Sequence, residues 1–433
     1  MDIGKCRVRE VWSWGAGTHG QLACGTLIDA LTPQRVEALS DAALIVDIAC
    51  GGAHGIAVFE CGDVATWGRG QAGALGHGDE TTITVPRFIS SLQGIRISHA
   101  AAGWNHSAFV TDNGALYTCG DGTFGQLGHG HTESRLVPGR VEHLSSERIN
   151  MVACGMRHTL ALAVTQGSVC TSIVYAFGFN KRGQLGIQMK TNGSESKNKW
   201  CFSCPQRVDS LDMHGVVSVS ANGDHSAALT RMGDLFLWGR GYNDGPDSQQ
   251  PHLSHSGLKL IQVSLGWRHG LALAENKVVF AWGNNVCGQL GISRVSNNSE
   301  RRAQEVNVAH KSIEQYTRER EGKDGAAEKS QRQISGVDFQ KVETQGMRVS
   351  WISAGSEHSA AVLEDGRIMM WGWAEHGQLG LGSLEDQEVP HMVTLASTRL
   401  SSGFFSATHD QHASANYVKT KVYCGSGYTF VVS

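Results

Sequence analysis

A histidine recurs at one position of a short motif along this chain. Histidine titrates near neutral pH and binds zinc through its ring nitrogens, so a repeated histidine could serve acid–base or metal chemistry. Each copy lies three residues after a glycine, or after Asn222 in one repeat, and the six are His54, His106, His158, His225, His269 and His358. Zinc ligands must converge within about 2 Å of one ion, whereas these histidines lie in separate repeats. We therefore predict no metal site and a structural role, in which each histidine hydrogen-bonds the backbone of its own repeat.

Glycine-rich loops are the second candidate for chemistry, because a Gly-x-Gly-x-x-Gly loop can cradle the phosphates of a dinucleotide. Residues 15–20 match this pattern directly after an apolar run, and residues 68–73 and 120–125 match it too. None of them opens an amphipathic helix, which the phosphate site requires. We interpret these glycines as turn residues and expect no cofactor.

Other reactive patterns are scarce. Cys201 and Cys204 form a lone pair without partners at zinc-finger spacing, which does not favour a metal or redox site. Gly425-Ser426-Gly427 resembles a nucleophile elbow, but an apolar strand follows it where a helix is needed. The sequence contains no Walker loop and no paired-carboxylate motif. It therefore predicts a protein that is not an enzyme.

The elements that carry these motifs are β-hairpins. Residues 103–130 contain an apolar run, an Asp-Asn-Gly turn, an alternating run that ends on glycine, and a Gly-Gln-Leu-Gly loop. The glycine that closes the second run recurs in seven copies: Gly15, Gly68, Gly120, Gly178, Gly239, Gly283 and Gly372. The histidine precedes this glycine by 14 residues in five copies and by 20 in the fourth. A period near fifty residues is typical of one four-stranded propeller blade, so we predict an all-β, seven-bladed β-propeller.

The register predicts how the ring closes. The chain begins at the second strand of a hairpin, residues 11–15, and ends at a first strand, residues 428–432. We expect both terminal strands to pair in one blade, which removes an open sheet edge. Residues 1–433 are thus predicted to form a single β-propeller domain, with a charged, flexible insertion at 293–346 in the sixth repeat and a long Ser- and Ala-rich loop at 396–419 in the last blade.

Composition excludes several classes of protein. The net charge is -3, so bulk electrostatic binding of nucleic acid is not expected. No stretch approaches 18 apolar residues, which predicts no membrane span, and the first residues do not resemble a signal peptide. The eleven cysteines are odd in number and scattered. We interpret them as reduced thiols of a cytoplasmic or nuclear protein.

The tandem copies of Gly-x-x-His-(Ser/Thr), an apolar strand, Trp-Gly and Gly-Gln-Leu-Gly closely resemble the regulator of chromosome condensation repeat family, over essentially the whole chain. The resemblance implies a seven-bladed β-propeller of that type, closed by strands from both termini. It also implies a choice of functions. The founding member is a nucleotide exchange factor for the small GTPase Ran and binds chromatin, a plant relative senses ultraviolet-B light, and other members are interaction scaffolds, some attached to ubiquitin ligase domains.

Hairpin geometry predicts one candidate binding face. The loop before the first strand of each hairpin and the loop after its second strand lie at the same end, so all Gly-x-x-His loops share a face with the loops that follow Trp-Gly. Aromatic and arginine side chains dominate binding hot spots. We predict that a partner binds the variable residues of this face: Arg69, Trp104, Asn105, Arg157, Asp224, Arg240, Trp267, Arg268, Glu357 and Trp373. The alternative for the tryptophans is packing against the neighbouring blade.

These observations favour a non-catalytic scaffold or adaptor that binds a protein partner. The alternative is a guanine nucleotide exchange factor for a small Ran-like GTPase, because Asp224 precedes the motif histidine, as an acidic residue does in the founding member. Light sensing is less favoured, since only residues 266–270 resemble the photoreceptor's Gly-Trp-Arg-His-Thr motif. Chromatin binding is less favoured because no basic tail is present. The sequence leaves the oligomeric state open.

Overall fold

The structure is a computed structural model. It describes residues 10–40, 44–164, 171–188, 200–243, 245–254, 257–293, 337–395 and 420–433. The loop predicted at 396–419 lies outside the described residues, as does most of the insertion predicted at 293–346. The last part of that predicted insertion belongs to a blade, because Gln340–Lys341 forms its outer strand.

The described strands form seven antiparallel sheets of four strands, which we number as blades one to seven. Within each blade the strands are named first, second, third and outer. In that order they are Lys421–Cys424, Tyr428–Val432, Val11–Gly15 and Ala30–Arg35 in blade one; Ile45–Cys50, His54–Phe59, Val64–Gly68 and Ile83–Phe88 in blade two; Ile97–Ala102, His106–Thr111, Leu116–Gly120 and Arg135–Arg140 in blade three; Ile149–Cys154, His158–Val164, Ser172–Phe179 and Cys201–Arg207 in blade four; Val216–Asn222, His225–Thr230, Leu235–Gly239 and Ser248–Ser254 in blade five; Leu260–Leu265, His269–Ala274, Val279–Gly283 and Gln340–Lys341 in blade six; Val349–Ala354, His358–Leu363, Ile368–Gly372 and Gln387–Val393 in blade seven.

Helical structure is limited to short turns among the described residues. One α-helical turn, Glu37–Ser40, follows the outer strand of blade one. Four 3₁₀ turns lie at Gln71–Gly73, Ser90–Leu92, Glu142–Leu144 and Asp209–Leu211. The predicted all-β seven-bladed propeller is confirmed. No described helix is long and apolar enough to cross a membrane.

The second strand of each hairpin is covered on both faces. All six residues of His54–Phe59 are buried, and the same is true of His106–Thr111 and His225–Thr230. Because each blade stacks between two others, these strands lack the polar alternation of a half-exposed strand and read as continuous small and apolar runs. The hydrophobic core therefore lies between blades, where each sheet buries the face of its neighbour.

The Gly-Gln-Leu-Gly loops join successive blades. Trp67 Nε1 of blade two donates to the Gln21 carbonyl of blade one at 2.9 Å, and the equivalent bonds from Trp14, Trp238 and Trp371 measure 2.8, 2.9 and 3.0 Å. The glycine that closes the third strand is required by geometry. Gly68 has a φ of +98°, and a Cβ there would lie 2.4 Å from the Ala53 carbonyl oxygen. These glycines are therefore turn residues in a tightly packed loop.

The two ends of the chain close the ring as predicted. The third strand of blade one pairs with its second strand over five residue pairs, from Val11 with Val432 to Gly15 with Tyr428. Beyond the pair, Glu10 and Ser433 exchange two backbone hydrogen bonds of 3.1 and 3.0 Å. Blade one consequently contains strands from both ends of the chain.

Candidate functional site

The Gly-x-x-His loops and the loops after Trp-Gly lie on one face, which we call the loop face. His54 pairs with Gly68, and the amide of Arg69 donates to the Ala53 carbonyl at 2.9 Å. The same bond joins Arg240 to Asp224 and Trp373 to Glu357, each at 2.9 Å. The Gly-x-x-His loops follow the first strands and lie nearest the axis, while Arg69, Arg240 and Trp373 lie farther out.

Two of the predicted tryptophans meet at the centre of the loop face. Trp104 of blade three and Trp267 of blade six have ring centroids 5.7 Å apart, with their planes inclined at 36°. These blades are not neighbours in the ring, so the contact spans the axis. Both rings line a cavity of about 180 Å³ to which every blade contributes residues, and Met156 lines it beside them. Both tryptophans are only partly buried, so they remain within reach of a partner.

Aromatic rings orient Arg157 on this face. Its guanidinium carbon lies 4.6 Å from the Phe124 ring centroid and 6.0 Å from that of Phe179. The two rings pack edge to face with centroids 5.0 Å apart. Stacking of this kind holds a guanidinium in place without neutralising its charge. The sequence alone did not single out Phe124 or Phe179, although Phe124 directly precedes the loop glycine Gly125 and Phe179 directly follows the anchor glycine Gly178.

Asp224 is engaged within the chain. Its Oδ1 accepts a hydrogen bond of 2.9 Å from Gln184 Nε2. Burial raises the pKa of this carboxyl, while the nearby guanidinium groups of Arg157, Arg240 and Arg182 act in the opposite direction. Arg182 also pairs with Asp247 at 3.1 Å. A basic group of a partner would therefore have to compete with three arginines for Asp224.

Glu357 was predicted to bind a partner at the loop face, but the structure buries it. Its residue is only 6% exposed, and Cys287 Sγ donates to its Oε2 at 3.6 Å. Burial, followed by the Glu357 charge, raises the pKa of the Cys287 thiol. The loop of blade six thus covers Glu357, so its carboxylate is not presented to a partner.

The remaining predicted face residues are partly buried. Trp373 packs edge to face on His376 with ring centroids 5.3 Å apart, and His376 Nδ1 lies 3.0 Å from Asp29 Oδ2. Arg69, Asn105 and Arg268 are half-buried at the loop face. The structure therefore brings Trp104 and Trp267 into contact, surrounds Asp224 with arginines, and leaves Trp373 in a separate cluster of blade seven.

The repeat histidines join blades rather than their own loops. In five junctions the Nε2 atom contacts a Ser or Thr hydroxyl of the next blade at 2.9 to 3.2 Å, as His158 does with Ser226. The Ser226 hydroxyl donates its one proton to the Gln184 carbonyl at 2.7 Å. In the bond between His158 and Ser226, the histidine Nε2–H must therefore be the donor. This differs from the predicted bond to backbone in the same repeat. The physical reason is that the histidine side chain crosses the sheet face toward the neighbouring blade.

Burial keeps these histidines neutral. It lowers the pKa of His106 to about 4 and that of His158 to about 3. The pKa values of His54, His225, His269 and His358 are each lowered to about 3 for the same reason. Each neutral ring thus serves as a packing group, and five of the six also act as fixed hydrogen-bond donors.

Two histidines form a matched pair for testing this bond. His158 bonds Ser226, whereas no described residue lies in hydrogen-bond geometry with either ring nitrogen of His225. His158→Leu should lose a buried hydrogen bond of about 1 to 2 kcal/mol, while His225→Leu loses none. We expect the free energy of unfolding from urea titration at pH 7.5 to fall by at least about 1 kcal/mol more in the first variant. Equal losses would show that packing alone explains the histidine position.

Cys201 and Cys204 lie on the outer strand of blade four. Cys204 Sγ is 3.5 Å from His143 Nε2, on the rim of the ring. Within the described residues, no group of three or more His, Cys, Asp or Glu side chains is arranged to hold a metal ion.

Seven blades, interlocked by His-to-hydroxyl and Trp-to-Gln bonds and closed by both termini, define a propeller of the regulator of chromosome condensation class. The chain belongs to this family: the family model described as the RCC1-like domain matches residues 10–431. The ultraviolet-B receptor UVR8 of Arabidopsis thaliana is 39% identical over 291 residues, covering 65% of this chain and 62% of the receptor. The chain thus spans less than two thirds of that relative.

Two further relatives match over most of the chain. The secretion-regulating guanine nucleotide exchange factor of Mus musculus is 30% identical over 401 residues, covering 88% of this chain and 78% of that protein. The solved structure of Prp20p from Saccharomyces cerevisiae, described with its binding to Gsp1p and histones, superposes with a TM-score of 0.74 at 21% identity. It covers 99% of this chain and 92% of the Prp20p chain, and at this identity the likeness shows the fold alone.

Proposed function

We propose that this chain is a non-catalytic scaffold that binds a protein partner through the loop face. The contact between Trp104 and Trp267 at the centre of that face carries the proposal. Aromatic residues at the centre of a face, bordered by arginines such as Arg157, reproduce the composition of a binding hot spot with a polar rim. The rest of the ring supplies a rigid support, since each blade is bonded to its neighbours.

The loop face can be tested with a matched control on the opposite face. Met232 lies in the turn between the second and third strands of blade five, is 72% exposed, and points away from the loop face. We expect the double variant Trp267→Ala and Arg268→Glu to lose at least tenfold in the recovery of specific partners by affinity capture, because a hot-spot side chain contributes about 2 kcal/mol or more. Met232→Ala should recover them normally.

A thermal melt checks that the double variant remains folded. A second variant, Arg157→Glu, changes charge without removing either tryptophan and should also weaken capture. If the double variant and Arg157→Glu both retained the partners that Met232→Ala recovers, the loop face would be the wrong surface.

The second candidate is guanine nucleotide exchange on a small GTPase. The similarity to the secretion-regulating exchange factor supports this candidate, because the alignment covers 88% of this chain at 30% identity. Exchange would require no bond-making chemistry, because the propeller would bind and stabilise the nucleotide-free GTPase. Release of a fluorescent guanine nucleotide from Ran and related GTPases tests this candidate directly. Acceleration at micromolar protein would support it, and no acceleration across the panel would remove it.

A further inference from the structure

The junction between blades five and six lacks a loop that other junctions contain. The connection from the third to the outer strand of blade five is residues 240–247, eight residues, whereas blade three uses residues 121–134, fourteen residues. The missing part includes Gly-Gln-Leu-Gly. The facing blade is also incomplete, because its outer strand is the two-residue Gln340–Lys341. Two neighbouring features that normally close a junction are therefore shortened at one place.

The missing loop leaves buried donors without acceptors. Trp282 Nε1 has no hydrogen-bond partner among the described residues although its side chain is fully buried. The tryptophans of four other blades instead donate to a glutamine carbonyl of the preceding loop. Within the described part of the chain, the Tyr242 hydroxyl is also buried without a hydrogen-bond partner. It lies near the Trp282 indole without reaching hydrogen-bond geometry. A buried donor without an acceptor destabilises the folded chain.

Aromatic rings occupy part of the vacated space. Tyr242 stacks on His225 with ring centroids 4.3 Å apart, and Phe339 packs on Trp282 at 5.1 Å. A Cβ at Gly283 would lie 2.9 Å from a Tyr242 ring carbon, whereas a Cβ at Gly372 of blade seven would meet the Cα of Gln289. The tyrosine ring therefore replaces the loop main chain in volume but supplies no carbonyl.

A cavity of about 230 Å³ remains beside these rings. Its lining combines apolar surface from Trp238, Pro246 and Val337 with polar groups from His252 and Gln340. Tyr242 also lines the cavity and Trp282 does not, so access to the indole requires the tyrosine ring to turn aside.

We propose that this junction is a second binding site, separate from the loop face, which takes a short uncharged Gly- and Leu-containing turn of a partner protein. A main-chain carbonyl of that turn accepts from Trp282 Nε1, and its small side chains enter the space next to Tyr242. The occupant is a peptide because the same indole donor holds a peptide carbonyl in four other junctions. The Trp282 indole can only donate, so the ligand must present an acceptor, and the Tyr242 hydroxyl can donate to it as well.

The test uses the full chain and a capped, uncharged synthetic peptide with the sequence of residues 377–383, which includes the Gly-Gln-Leu-Gly loop of blade seven. The indole N–H resonances of ¹⁵N-labelled tryptophan report on each donor, and a Trp282→Phe variant assigns the Trp282 resonance. We expect millimolar peptide to move this resonance downfield. The Trp371 resonance should stay in place, because its acceptor, the Gln289 carbonyl, is already present at 3.0 Å.

Two variants sharpen the result. Tyr242→Ala removes the ring that must turn aside, so the peptide should bind several-fold more tightly. Replacing residues 240–247 with residues 121–134 should fill the junction from within, so the peptide should no longer move the Trp282 resonance. A scrambled peptide that moves it equally, or no movement in either the wild type or Tyr242→Ala, would overturn the proposal. Movement of Trp104 and Trp267 instead would assign the peptide to the loop face and overturn it too.

Discussion

Lowering the pH from 7.5 to 5.5 is expected to reduce the free energy of unfolding by about 8 kcal/mol through the six repeat histidines. Burial lowers the pKa of each ring from 6.5 to about 3 or 4 in the folded protein, as for His54 and His106. Below pH 6.5 these histidines bind protons in the unfolded chain but stay neutral in the folded chain, so acid favours unfolding. The stabilisation is complete above pH 6.5 and is lost as the pH falls toward 3. Each histidine contributes about 1.4 kcal/mol of this loss at pH 5.5.

Urea titrations at pH 8.5, 7.5, 6.5 and 5.5 measure this effect. The free energy of unfolding should hardly change between the two most alkaline values and should fall steeply below pH 6.5. His225→Leu removes one titrating ring and should reduce the total loss between pH 7.5 and 5.5 by about 1.4 kcal/mol. A loss below about 2 kcal/mol at pH 5.5 would show that the histidines can be protonated in the folded ring.

Deleting residues 424–433 is expected to abolish cooperative folding. The deletion removes the whole second strand of blade one, including Tyr428 and Phe430, both fully buried. Phe430 packs on Trp67 of blade two with ring centroids 5.3 Å apart, and Thr429 Oγ1 donates to the Gln378 carbonyl of blade seven at 3.0 Å. The strand thus joins blade one to both neighbours. Loss of each large buried side chain costs about 3 to 5 kcal/mol, and a typical domain is stable by only about 5 to 15 kcal/mol.

A differential scanning calorimetry trace of the truncated chain should lack the main unfolding transition. Removing ten residues from the predicted loop at 396–419 is the matched control, and it should leave the melting temperature nearly unchanged. Adding a peptide of residues 420–433 to the truncated chain should restore part of the transition. An unchanged melting temperature after truncation would contradict closure of the ring by this strand.

The sequence showed where the repeat pattern is broken, but it did not show which contacts between blades are lost there. The Gly-Gln-Leu-Gly loop is absent after Gly239, and Gly270 stands where five other repeats carry a Ser or Thr hydroxyl. Only the packing of blades five and six shows that both changes affect one junction, where Trp282 Nε1 and the His225 ring have no hydrogen-bond partner among the described residues. A change in blade five affects blade six because the loop carbonyls of one blade accept hydrogen bonds from the next blade.

The sequence by itself determined the blades, their number and the closing strand, because hairpin turns and apolar runs act over short stretches and repeat at a fixed spacing. It also placed the Gly-x-x-His loops on one face. The tertiary structure alone decided that Trp104 meets Trp267, that Phe124 orients Arg157, and that Glu357 is covered by Cys287. These contacts join side chains of different blades, so they depend on how seven sheets stack around one axis. The spacing of residues along the chain does not determine which side chains of different blades come into contact.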